Sequence, residues 1–259
     1  MSRLIVVLVL VFVSAPIASA QDVEDPNVAF FYPLLTRRPV IERELEFRVN
    51  HEKGAAGRLT ELRSAVEFPV LPRWQIELEI PLVFRSPRDA RSLGGVGDLT
   101  VENKFLVYRS LDYPAQVAAG FEARLPSGSE RRGLGGEAAI EPFLTGGIAI
   151  GDVDVLAEVA YEFNVNAHVP GPQEQQLTAG TAVGYRVSRC YTPLLELTTR
   201  TVTRGEETSA LLHRMQVSLT PGLNLRLWPA TTFALGIELP VTHARAFDYA
   251  LRARFIREF

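Results

Sequence analysis

The sequence predicts an all-β fold: a transmembrane, antiparallel, up-and-down β-barrel of about twelve strands, with ten or fourteen as alternative counts. Three observations predict it. The N-terminus reads as an export leader. From about Ile41 onward, short segments alternate apolar and polar residues with period 2. The last residue is Phe259, closing a segment in which Leu251, Ala253 and Phe255 fall on one side and Arg252, Arg254 and Glu258 on the other.

In the leader, Arg3 precedes an unbroken apolar run from Leu4 to Val13, and Ala18-Ser19-Ala20 is a small-x-small cleavage site. The run is too short for the ~20 residues of a spanning helix, so it reads as a signal peptide cleaved after Ala20. Residue 21 is Gln, not Cys, which argues against a lipoprotein anchor. No later stretch is apolar for a helix-spanning length. An exported chain of this kind is either soluble or crosses a membrane as a barrel. The expected organisation is 1–20 signal peptide, 21–40 periplasmic N-terminal segment and 41–259 outer-membrane barrel.

The strands follow in order. Leu45, Phe47 and Val49 alternate with Glu44, Glu46 and Arg48. Val66, Phe68 and Val70 come next. Trp74, Ile76, Leu78, Ile80, Leu82 and Phe84 alternate with Gln75, Glu77, Glu79 and Arg85. Leu99, Val101, Phe105 and Val107 alternate with Thr100, Glu102 and Lys104, and Val117 to Leu125 with Ala118, Gly120, Glu122 and Arg124. Ile140, Leu144 and Ile148 make a weaker sixth strand. Val155 to Val165 alternates with Asp154, Glu158 and Glu162. Leu177 to Val187 alternates with Thr178, Gly180 and Arg186. Leu195 and Leu197 face away from Glu196 and Arg200, Met215 to Leu227 from Arg214, Gln216 and Asn224, and Phe233 to Val241 from Gly236 and Glu238. Pro81, Pro142, Pro221 and Pro240 fall inside these runs. They predict bulges, bends or rim positions, because proline cannot donate to a ladder.

Connections alternate in length. Short ones fall near Leu71–Arg73, Asp112–Pro114, Gly151–Asp152, Ser188–Cys190 and Pro229–Ala230. Longer ones fall near Glu52–Arg58, Ser86–Asp98, Pro126–Glu137, Asn166–Glu174, Arg204–Thr208 and Ala244–Asp248. Short periplasmic turns and long outer loops give this rhythm, and an even count puts both termini in the periplasm. Trp74, Tyr191, Trp228, Phe233 and Phe259 then share the periplasmic ends as an interfacial belt. A soluble sandwich or lipocalin-like barrel would alternate too. It would need an apolar interior, which a face carrying Glu and Arg on nearly every strand cannot supply.

Composition adds exclusions. The formal net charge is -3, or -4 once Arg3 is removed, which gives no reason to expect a nucleic-acid partner. The single Cys190 allows no intrachain disulfide, and cysteine spacing suggests no metal site. Gly95-Val96-Gly97-Asp98 lacks the Gly-Lys-Ser/Thr ending of a phosphate loop, and Asp98 reads as a turn residue bonding its own backbone. No cofactor or metal is expected.

The closing segment resembles the C-terminal signal of Gram-negative outer-membrane barrels, with Phe259 and Phe255 as the residues read by the barrel-assembly machinery. Arg257 departs from that pattern. Gly95-Val96-Gly97-Asp98-Leu99-Thr100 leading to Lys104-Phe105 is similar to a segment of a bacterial family of outer-membrane transporters labelled "MetA-pathway of phenol degradation". Phe121-Glu122-Ala123-Arg124-Leu125-Pro126-Ser127-Gly128 is similar to a strand of that family. Leu219 to Leu223 and Glu238 to Val241 are similar to its late strands. The resemblance implies a transport role linked to aromatic compounds and supplies no catalytic residues.

Function is expected on the inward face. Glu77, Glu79, Glu102, Lys104, Glu122, Arg124, Glu158, Arg186, Arg200 and Arg214 are the candidate lumen residues. Opposed acidic and basic walls suit a channel for small solutes; the same charges paired off suit a plugged, structural or surface-interaction barrel. Expected partners are outer-membrane lipid, lipopolysaccharide (toward which Arg131-Arg132 are candidates), the assembly machinery and a small solute. A hydrolase is the third reading, on Ser209 and His213. These are four residues apart on one strand, too far to bond directly at roughly 3.3 Å per residue, so no enzyme is expected. His51, His168 and His243 map to the same outer side.

Overall fold

The structure, a computed structural model, describes residues 30–110, 112–129, 133–165, 174–207 and 209–259. The leader, Arg131-Arg132 and His168 lie outside the described residues. The strands in chain order are β1 (Glu44–Gly54), β2 (Gly57–Leu71), β3 (Trp74–Pro87), β4 (Leu93–Val96), β5 (Leu99–Arg109), β6 (Ala115–Leu125) and β7 (Ala139–Ile150). They continue as β8 (Val153–Asn164), β9 (Gln175–Tyr185), β10 (Tyr191–Arg204), β11 (Met215–Trp228), β12 (Thr231–Pro240) and β13 (Tyr249–Glu258). Twelve form an antiparallel wall that closes on itself, β1 pairing with β2 on one side and β13 on the other. The short β4 pairs only with the far end of β3, from Leu82↔Val96 to Arg85↔Leu93. The wall is the expected twelve-stranded barrel, and the weak sixth strand is the twelve-residue β7.

Closure explains why the alternation is so regular. Every backbone group must find a partner in the wall, and each side chain then faces lipid or lumen. Leu45, Phe47, Leu78, Phe121, Leu197 and Leu235 lie exposed on the outside, while Glu46, Glu79, Glu196 and Glu238 are buried inside. Two of the prolines, Pro142 and Pro221, interrupt pairing without shifting it, whereas Pro81 stays paired with Arg63 and Pro240 with Ser218. β7 and β8 lose their pairing at Glu141–Pro142 and resume at Phe143↔Ala160 in the same register, and β11 and β12 skip Thr220–Pro221 likewise. Four of the five belt aromatics hold the ends: Trp228, Tyr191 and Phe259 are exposed, and Trp74 stacks on Phe105 at 5.9 Å.

Two expectations are corrected. The connection near Glu52–Arg58 is not long: β1 and β2 run on until Gly54 pairs with Gly57, leaving only Ala55 and Ala56 between them. Near this rim the inward residue is Leu59 and its neighbours are Arg58 and Thr60, which inverts the usual pattern and hid the strand. The second concerns the segment set apart as periplasmic. Its described part, residues 30–40, lies inside the barrel. Phe30, Phe31 and Leu34 pack with Leu156, Ala182, Leu194 and Ala234 into a buried apolar cluster. The described parts of three long loops also fold inward, burying Leu134, Leu211 and Phe247.

Candidate functional site in the barrel lumen

Residues 30–43 form a strap without strand pairing, held inside the wall by wall side chains. Phe31 N donates to Asp154 Oδ2 at 3.1 Å. Tyr32 exchanges two bonds with Asn224, its N donating at 2.7 Å and its carbonyl accepting at 2.6 Å. The Glu196 carboxylate accepts from the backbone of Leu34, of Leu35 at 3.1 Å and of Thr36 at 2.9 Å, and from Thr36 Oγ1 at 2.9 Å. A carboxylate gathering several N–H donors satisfies an irregular backbone that would otherwise be buried without partners. The wall makes room by omitting side chains. A Cβ at Gly184 would stand 2.5 Å from the Phe31 ring, and one at Gly222 would stand 2.8 Å from Leu34.

At the deepest point of the strap, Arg37 enters a cage of four glutamates. Its Nε donates to Glu102 at 2.9 Å, and its Nη2 to Glu122 at 2.9 Å and Glu141 at 2.7 Å. Glu158 lies 3.7 Å from Nη1 and also accepts the Arg37 backbone N–H at 2.6 Å. The Phe143 ring lies 4.6 Å from the guanidinium carbon. Thr145 Oγ1 donates to the Arg37 carbonyl at 2.6 Å, fixing the turn.

The cage is one end of a longer feature. Cross-strand register places Glu258, Glu44, Glu67 and Glu77 directly opposite one another in succession on β13, β1, β2 and β3. The series continues through Glu102, Glu122 and Glu141 on β5, β6 and β7. Like charges directly opposite repel, so this ladder requires cations and donors. Tyr32 hydroxyl bridges Glu44 at 3.0 Å and Glu258 at 2.7 Å. Lys104 Nζ lies 3.7 Å from Glu67 and 3.9 Å from Glu42, and Arg48 reaches Glu77 at 3.3 Å. Glu42, Glu44 and Glu67 bring one oxygen each within 4.8 Å of one another. The Lys104 ammonium and the Tyr32 hydroxyl supply charge and donors at that point. Four residues further along the strands, Arg254, Arg48 and Arg63 form a parallel basic row.

The sequence-predicted residues divide. Glu77, Glu79, Glu102, Lys104, Glu122, Arg124 and Glu158 all face the lumen, in adjoining ion-paired groups. Arg63 joins Glu79 at 3.0 Å to Glu61 at 2.8 Å, Arg48 joins Glu46 to Glu79, and Arg124 pairs with Glu162. Arg200 lines the same space. Arg186 lies past the end of β9 and bonds Asp154 and the Gly151 carbonyl at a turn. Arg214 precedes β11 and is exposed. Gln216 faces inward but accepts the Ala246 N–H at 2.7 Å, holding the β12–β13 loop. Ser209 and His213 lie in a turned loop rather than on one strand, with Leu212 N donating to the Ser209 carbonyl at 3.3 Å. Phe255 packs between Phe47 and Phe233 on the outer face, and Phe259 N donates to the Arg43 carbonyl.

The described part of the β6–β7 loop folds in at the far end, and Asp98 holds it. Instead of bonding its own turn, the Asp98 carboxylate accepts from Gly128 N at 2.7 Å, Gly136 N at 2.8 Å and Glu137 N at 3.2 Å. Leu99 N donates to Ser127 Oγ at 2.8 Å. A cavity of about 360 Å³ lies under this loop, and one of about 380 Å³ lies between it and the strap. Glu61, Arg63, Glu122 and Arg124 border both.

No family model and no curated protein matches the chain. Solved structures do. An outer-membrane channel of Pseudomonas putida F1 aligns with a TM-score of 0.66 at 14% identity, over 86% of this chain and 97% of that one. The NanC porin aligns at 0.59 and 13%, over 83% and 98%, and the KdgM porin at 0.55 and 13%, over 83% and 99%. The chain has the fold of these outer-membrane β-barrels. The barrel's sequence concealed several of its site residues. Arg37 stands in a segment with no periodicity, and Glu141 stands beside Pro142 in the weakest strand. The one available signal was the set of inward glycines, which leave hollows that something else must fill.

Proposed function

We propose that this protein is an outer-membrane channel for small polar or charged solutes, closed at rest by the N-terminal strap and the inward β6–β7 loop. The observation that carries this reading is how the strap is held. It belongs to no strand ladder, so it can leave the lumen without breaking the wall. Behind it lie two adjoining polar cavities bordered by the same four charged residues. Solute selection by rings of fixed charge follows the general logic of pores. Membership of the transporter family that the Gly95–Phe105 and Phe121–Gly128 segments resemble is part of the proposal. Its support is that these two segments meet, through Asp98 to Gly128 and Ser127 to Leu99. The aromatic solute class rests on that resemblance, while the lining favours charge. Lipopolysaccharide around the outer rim, and recognition of Phe259 by the assembly machinery, complete the proposed setting.

Occupation of the lumen from both ends favours a second reading, a permanently closed structural barrel. Swelling of proteoliposomes holding the refolded mature chain separates the two. Swelling in small polar solutes above that of protein-free liposomes supports the channel. Solute-independent impermeability, with the barrel folded, supports the closed barrel.

A further inference from the structure

The glutamate ladder gives the solute a chemistry. Strands in such barrels tilt ~35–45° from the axis, so the direction perpendicular to them climbs along it. Six steps of ~4.8 Å at that tilt rise roughly 17–20 Å, most of a ~25 Å apolar band. The ladder starts at Glu258, the last residue of β13, passes through Glu44 at the start of β1, and ends at Glu141, the third residue of β7, next to the β6–β7 loop. It is therefore an acidic stair running from the loop end of the lumen to the end that carries the C-terminus.

The top of this stair is already fitted to one kind of group. A planar guanidinium meets carboxylates edge-on and an aromatic ring face-on. Glu102, Glu122, Glu141 and Phe143 provide both, and the guanidinium they hold belongs to the strap rather than to the wall. The neighbouring cations are committed elsewhere: Lys104 to Glu42 and Glu67, Arg63 to Glu61 and Glu79, Arg124 to Glu162. When Arg37 withdraws, four carboxylates on four consecutive strands lose the one side chain that bridges them. Three of the four border the about 380 Å³ cavity, so a small solute in the lumen reaches them.

We propose that this cage is a binding site for small organic cations of the alkylguanidinium or alkylammonium class, and that the Arg37 side chain occupies it as a built-in surrogate. A cationic solute takes the place of Arg37, which removes the strap's deepest contact, and the solute then meets further carboxylates down the ladder. The proposal rests on the channel reading for its physiological sense, while its test needs no pore.

The test is titration calorimetry of the folded mature barrel in detergent with ethylguanidinium, against the neutral isostere ethylurea. Heat-modifiable mobility confirms that each variant is folded. Arg37→Ala is expected to bind ethylguanidinium about tenfold or more tightly than the parent, with no matching gain for ethylurea. Adding Glu102→Gln and Glu141→Gln to Arg37→Ala is expected to weaken that binding at least tenfold. Equal binding of the two probes, or equal binding before and after the glutamates are amidated, overturns the proposal. Should Arg37→Ala fail to fold, Arg37→Gln carries the same comparison. Binding without flux in proteoliposomes would leave this site standing and defeat the channel reading alone.

Discussion

Glu196→Ala acts on the strap and on little else. In the closed state the carboxylate is fully buried and accepts the Leu34, Leu35 and Thr36 backbone N–H groups and the Thr36 hydroxyl. Truncation leaves two buried backbone donors, Leu34 and Thr36, and the part-buried Leu35 donor without an acceptor, at ~1–3 kcal/mol for each buried one. With the strap out, those groups face water and nothing is lost. At the middle of that range the two buried donors alone cost the closed state about 4 kcal/mol, or roughly a thousandfold in the closed-to-open ratio at 1.4 kcal/mol per tenfold. Glu196→Gln keeps one carbonyl oxygen and should fall between. Two assays follow the strap: single-channel open probability in planar bilayers, and trypsin cleavage of the Arg37–Arg38 bond in folded barrels. Glu196→Ala is expected to be open most of the time and cut readily. A Glu196→Ala barrel as closed and as protected as the parent would refute the account of how the strap is held.

Three other outcomes are expected. Asp98→Ala removes the acceptor of the Gly128, Gly136 and Glu137 N–H groups, so trypsin should cut after Arg131 or Arg132 faster than in the parent while the barrel stays heat-modifiable. Glu122→Gln should shift reversal potentials in a KCl gradient toward anion selectivity and Arg124→Gln toward cation selectivity, because each removes one fixed charge bordering both cavities. Leu78→Arg places a charge on the lipid face and should cost ~2–4 kcal/mol if near the midplane, read as a lower urea midpoint for unfolding in lipid, whereas Leu78→Phe should leave the midpoint close to the parent's.

What could be read from the chain followed one physical rule. Where lipid lies on one side and water or ion pairs on the other, alternation is enforced, and Leu45 to Val49 or Trp74 to Phe84 display it openly. The rule weakens at rims, where both faces are polar, so Leu59 obscured the start of β2. It does not reach the strap, whose conformation comes from distant partners such as Glu196 and Asn224 rather than from local period. Asp98 shows the same limit: an Asp after Gly97 suits a local turn, and its actual donors lie 30 to 39 residues away. The glutamate ladder was visible only in part. Glu77, Glu102 and Glu122 are separate inward residues in sequence, and register alone makes them neighbours.

On the channel proposal, the strap closes a continuous path through the lumen. The most direct measurement is the single-channel current of the mature chain beside that of the same chain lacking residues 21–40, both refolded into planar bilayers and both checked for heat-modifiable mobility. The parent is expected to be closed or to open briefly, and the shortened barrel to carry a steady current that favours cations. Indistinguishable currents from two folded barrels, or a shortened barrel that stays silent, would contradict it.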